Sequence, residues 1–179
     1  AFEGLDSRAA LGDCEAVALD WRTYCYDGVF MEYFSSAVKA PDSLADPWRN
    51  CLGLAANFQG SCVRYQALAL VQRGTSLPDA GRECQKLESL ALRHICFEGL
   101  GFHAAQMAKG HVAEIQRSCA FEREAEGQNV CLVAAARETV FQNYEQAEAA
   151  AMQVCQDLNA PWQSDCLAGV AETKKAYDK

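Results

Sequence analysis

The chain has 179 residues, half of them hydrophobic, and a net charge of −8, which is enough apolar residue for one packed domain and too acidic a surface to reward nucleic-acid phosphates. No apolar run approaches the roughly 18 residues a membrane span needs, so no transmembrane segment is expected. The opening residues Ala1-Phe2-Glu3-Gly4 carry neither an initiator Met nor an apolar signal core and read as a processed, mature start.

Charge is unevenly spread. Nine acids face four bases in residues 1–50, six bases outnumber four acids in residues 51–110, and eleven acids face six bases in the rest. The middle stretch also carries His94 and His103, with His111 directly after it, and it is where an acidic partner is expected, with Arg64 and Arg93 to meet it.

Ten cysteines organise the chain. Cys14 and Cys25, Cys51 and Cys62, Cys84 and Cys96, Cys119 and Cys131, and Cys155 and Cys166 stand 11, 11, 12, 12 and 11 residues apart, and the first members recur every 33 to 37 residues. That period belongs to two-helix repeats and divides a single domain, 1–179, into approximate units 1–40, 41–74, 75–110, 111–143 and 144–179. No C-x-x-C occurs, so thioredoxin-like, c-type haem and common zinc-finger spacings are absent. An oxidised framework in a secreted or periplasmic protein is the better expectation.

In chain order, the first long segment carries Tyr26, Phe30 and Tyr33 at i, i+4 and i+7, an aromatic stripe expected to face the core. The linker "VKAPDSLAD" leads to Asp46-Pro47, read as N-cap and first-turn proline of the next helix. After the linker "RGTSLPDAG" begins, Ser76-Leu77-Pro78-Asp79 has the form of a capping box. The stretch "EQAEAAAMQVCQDL" in the last repeat is Ala-rich and strongly helix-forming.

Eleven residues is also three turns of one helix, so each cysteine pair could lie on a single helix face. The residues between the pairs favour a turn instead: Asn57 and Gly60, Gly127 and Asn129, and Asn159-Ala160-Pro161. The third repeat, "QKLESLALRHI", lacks such a breaker, and its turn is inferred by analogy. Ten cysteines admit many pairings, and spacing selects the five local ones, each contributing about 3 kcal/mol on the loop-entropy account. The expected fold is all-α, about ten helices in five disulfide-stapled antiparallel hairpins, arranged as a solenoid-like array or a compact helical bundle. Three positions after each second cysteine stand Gly28, Tyr65, Gly99, Ala134 and Gly169. Glycine costs a helix about 1 kcal/mol, so close approach of the two helices within each hairpin is expected there.

The hairpin period with one cysteine pair per repeat, together with "CFEGLGFHAA" and "CLAGVAETKKAY", resembles the secreted cysteine-rich relatives of Sel1-like and tetratricopeptide repeat proteins over nearly the whole chain. The W-x2-L-G-x2-Y signature of tetratricopeptide repeats is missing. Twin C-x9-C hairpins of the mitochondrial intermembrane space are a second likeness, with shorter spacing and disulfides that join different motifs. The resemblance implies a stapled binding scaffold and supplies no functional residues.

The densest chemistry lies in "RHICFEGLGFHAAQ", residues 93–106. Cys96 is assigned to a disulfide, and His94 with Glu98 reads as an i, i+4 side-chain pair. His103, Met107 and His111 would share one helix face and suit copper if the helix runs past Gly110, although solvent-facing imidazoles beside a gap-filling Met are the plainer assignment. Glu122, Glu124 and Glu126 read as a solvated helix end rather than a calcium site. With no G-x-S-x-G elbow, phosphate loop or H-E-x-x-H pattern, neither enzymatic activity nor a cofactor is expected. A scaffold that binds an unidentified protein or peptide on a concave surface is the leading expectation. A copper or other metal-handling protein and a structural subunit of an extracellular assembly are the alternatives.

Overall fold

The computed structural model describes residues 7–37, 46–121, 125–142 and 146–177, and among these the chain forms ten helices and no strand. Short and long helices alternate: α1 (Ser7–Cys14) and α2 (Leu19–Ala37), α3 (Arg49–Leu52) and α4 (Ala56–Gln72), α5 (Leu77–Gln85) and α6 (Leu90–Ala108), α7 (Val112–Ser118) and α8 (Ala125–Phe141), α9 (Ala147–Gln156) and α10 (Trp162–Tyr177). No helix among the described residues is long and apolar enough to cross a membrane.

Each hairpin closes on a disulfide between its own two cysteines, with Cα atoms 5.4 to 5.7 Å apart. Nine of the ten cysteines are buried, so the bridges lie in the core and replace part of the apolar packing that such short first helices cannot supply. Turn chemistry places the helix ends. Ser76 Oγ accepts the Asp79 amide at 3.2 Å and starts α5 as the capping box predicts. In the third repeat the turn lacking a breaker is set by Ser89, whose hydroxyl accepts the Leu92 amide and caps α6.

Several expectations move. Asn57 and Gly60 lie inside α4, and Gly127 and Asn129 inside α8, so these residues do not form the hairpin turns. Asp46-Pro47 does not begin a helix: Asp46 Oδ1 accepts the Trp48 amide at 3.1 Å, and α3 starts only at Arg49. Trp48 is buried with its indole donating to Glu83 O at 2.9 Å, and this anchor holds the segment in a turn. The aromatic stripe of α2 ends on Phe34 rather than Tyr33, because Phe34 is buried beside Phe30 while Tyr33 lies half-buried at its edge.

The long helices pack in sequence order, α2 on α4, α4 on α6, α6 on α8 and α8 on α10. Of the short helices, α5 packs against α4 and α6, α7 against α6 and α8, and α9 against α7, α8 and α10, forming a second layer. This is the solenoid-like form of the expected architecture, in which each repeat touches chiefly its neighbours. The core lies between the layers, where Phe97, Leu100, Ile115 and Val154 are among the fully buried side chains.

The small residues three positions after the second cysteines act between hairpins, not within them. A Cβ on Gly99 would stand 2.4 Å from Arg64 O of α4, and one on Gly169 would meet the Arg137 side chain of α8; Gly101, outside that column, would place a Cβ 2.3 Å from Cys131 O of α8. Helix α6 is thus clamped closely between its two neighbours in the long-helix layer. Gly28, by contrast, has nothing within 4 Å of such a Cβ.

Candidate binding groove

The outer face of the long-helix layer is a groove to which all five long helices contribute. Two adjoining cavities, about 760 and 660 Å³, share Tyr24, Phe102 and Arg137. The first is lined largely by the C-terminal halves of the long helices and the second by their N-terminal halves. Helices α2 and α10 both border the first cavity although they lie at opposite ends of the array, so the array curves around it.

The lining follows the repeat. Six positions after each second cysteine stand Met31, Leu68, Phe102, Arg137 and Glu172, and ten positions after it stand Ser35, Gln72, Gln106, Phe141 and Ala176; all ten line the first cavity. The spacing of four puts both positions of a repeat on one helix face, and stacking the repeats aligns them into two rows. A further row, two positions after the cysteine, holds Asp27, Arg64 and Glu98. These three are joined, since Arg64 donates to both oxygens of Asp27 at 3.1 and 3.0 Å and to Glu98 Oε2 at 3.0 Å. The Arg64 guanidinium also lies 5.9 Å from the Phe102 ring centre. Burial works against the charge of Arg64, and Asp27 with Glu98 more than offsets it, so its pKa is raised.

Glu138 is the half-buried carboxyl of the first cavity. It accepts from Gln106 Nε2 at 3.3 Å and Gln142 Nε2 at 3.5 Å, and burial raises its pKa against the lowering effect of those two bonds. Burial likewise raises the phenol of Tyr65, with Asp27 adding to the shift. Tyr24, Met31 and Phe141 are more than half exposed at the groove surface.

Of Arg64 and Arg93, expected to meet an acidic partner, Arg64 is ion-paired within the chain and Arg93 stands apart from the groove. Arg64 is occupied by Asp27 and Glu98, and Arg93 Nε donates to Leu87 O at 3.2 Å in the turn before α6, outside the groove lining. The groove itself carries six carboxylates, Asp20, Asp27, Glu98, Glu138, Asp165 and Glu172, against Arg64 and Arg137.

His94 and Glu98 do not pair with each other. His94 Nε2 lies 3.0 Å from Glu126 Oε1 of α8, and Glu98 turns to Arg64 of α4. His103, Met107 and His111 do not share a helix face: α6 ends at Ala108, Lys109 is left-handed with φ 47°, and His111 is the N-cap of α7. His103 is half-buried, which lowers its pKa, whereas Met107 is exposed. Among the described residues no group of three or more His, Cys, Asp or Glu side chains could hold a metal ion. Glu122 and Glu124 lie outside the described residues.

Sequence reasoning missed Arg137, Glu138 and the apolar lining of the groove. The cysteine-aligned columns two, six and ten positions on carry the signal for Arg137 and the apolar lining, whereas Glu138, seven positions after Cys131, falls outside them. No protein-family model, curated protein or solved structure matches the chain.

Proposed function

We propose that this protein is a non-enzymatic binding scaffold whose groove docks a segment of a partner protein or a peptide, and that it acts in an oxidising compartment, secreted or periplasmic. The observation that carries this is the division of labour within each repeat. The cysteine pair recurs in all five repeats, while the groove positions six and ten residues on vary between apolar, polar and charged: Met, Leu, Phe, Arg and Glu in one row, Ser, Gln, Gln, Phe and Ala in the other. A constant frame presenting a varied row of side chains across a cavity suits recognition of an extended segment, one stretch per repeat. Tyr24, Met31 and Phe141 supply the exposed aromatic and thioether surface on which interface energy concentrates. Five disulfides support the compartment, since such bonds persist outside the reducing cytosol.

The test is selection of a random peptide library on the wild-type protein, on Tyr24→Ala/Met31→Ala, and on Met152→Ala as a control in α9. Peptides enriched on wild type and on the control but lost on the groove variant support docking. Enrichment indifferent to Tyr24 and Met31, or none at all, overturns it.

A further inference from the structure

The row six positions after the second cysteine has a direction. It runs through Met31, Leu68 and Phe102 over the first three repeats and then Arg137 and Glu172 over the last two. Glu138 lies at that charged end, fixed by the amides of Gln106 and Gln142, which orient a carboxylate without neutralising it. Neither Glu138 nor Glu172 has an ion-pair partner among the described residues. The Arg137 guanidinium is laid across Gly169, where an added Cβ would fall 2.1 Å from its Nε, so it is fitted to α10.

We propose that the occupant of the groove is a basic, partly apolar peptide segment, its apolar side chains over Met31, Leu68 and Phe102 and an Arg or Lys head group on Glu138 and Glu172. This rests on the docking reading above and names the chemistry of the partner. A carboxylate half-buried among aromatic rings is poorly solvated, and an arriving cation supplies the missing counter-charge. The alkyl stem of Arg or Lys covers apolar surface on the way in, and a guanidinium stacks on a ring face, as Arg64 already lies over Phe102. An acidic segment would meet four carboxylates not held by Arg64, namely Asp20, Glu138, Asp165 and Glu172, and only one arginine outside that ion-paired cluster, Arg137.

Three pools of short peptides test this, identical in a randomised Leu, Phe and Ser background and differing at one fixed position: Arg, its neutral isostere citrulline, or Glu. Fluorescence anisotropy is read on wild type, Glu138→Gln and the exposed-site variant Glu172→Gln, each shown by circular dichroism to keep the wild-type helical content. On wild type the Arg pool should bind about ten-fold more tightly than the citrulline pool, with the Glu pool weakest. In Glu138→Gln that advantage should shrink several-fold while citrulline-pool affinity holds, and Glu172→Gln should give a smaller change in the same direction. Groove-dependent binding with equal Arg and citrulline affinities, an Arg advantage that survives both variants, or a Glu preference lost on Arg137→Gln overturns this inference and leaves docking standing. No groove-dependent binding of any pool, together with failure of the library selection, overturns both.

Discussion

One guanidinium joins three repeats: Arg64 of α4 holds Asp27 of α2 and Glu98 of α6 at once, 3.0 Å from each. The side chains of Arg64 and Asp27 are only 17% and 20% exposed, whereas Glu98 is 35% exposed. Breaking a buried pair leaves an uncompensated charge, and partial exposure discounts that cost. Arg64→Met should therefore destabilise the protein by about 1–3 kcal/mol in urea unfolding. Adding Asp27→Leu should recover part of the loss, since one stranded carboxylate is removed with its partner.

Two glycines in the long-helix layer should respond oppositely to alanine. Gly101→Ala places a methyl 2.3 Å from Cys131 O and 2.9 Å from Ala134 Cβ, so α6 and α8 must separate. A loss of about 1–3 kcal/mol is expected. Gly28→Ala meets nothing within 4 Å in the interior of α2 and should gain about 0.5–1 kcal/mol from helix propensity. Thermal melts of the two variants beside wild type decide it, and equal shifts would mean the layer is not clamped at Gly101.

Removing a central staple should weaken more of the molecule than removing a terminal one. Cys84→Ala/Cys96→Ala should cost about 3 kcal/mol and lower protection across α4, α6 and α8, because α6 packs on both neighbours. Cys14→Ala/Cys25→Ala should fray α1 and the start of α2 while α6 and α8 stay protected, the behaviour of a nearest-neighbour array. Amide hydrogen exchange resolved by peptide separates the two patterns.

Burial shifts Glu138 and His103 in opposite senses, and stability should follow. The raised pKa of Glu138 means the native state holds the proton more tightly than the unfolded chain, so this stability is present below pH 4.5 and is lost as pH rises through the raised value. Glu138→Gln should gain on wild type as pH climbs from 4.5, and the gap should narrow below it. The lowered pKa of His103 means stability present above pH 6.5 and lost as pH falls through the lowered value. His103→Gln should remove that part of the acid sensitivity, read as urea midpoints measured across the pH range.

The sequence by itself determined the hairpin. Cys84 and Cys96, or Ser76 and Asp79, lie within a dozen residues of each other, and cysteine spacing and capping chemistry act over that range without needing the rest of the molecule. Even the turn with no breaker was available in Ser89. Only the tertiary structure decided what one hairpin does to the next. Arg64 finds Asp27 at a separation of 37 residues and Glu98 at 34, and His94 finds Glu126 at 32. Each partner lies about one repeat away, and which side chains meet there depends on how far successive hairpins shift and rotate as α4, α6 and α8 pack. That packing is set by Gly99 and Gly101, whose missing side chains let the backbones approach. It took His94 and Glu98 apart, neutralised Arg64, and aligned Met31, Leu68, Phe102, Arg137 and Glu172 along one groove.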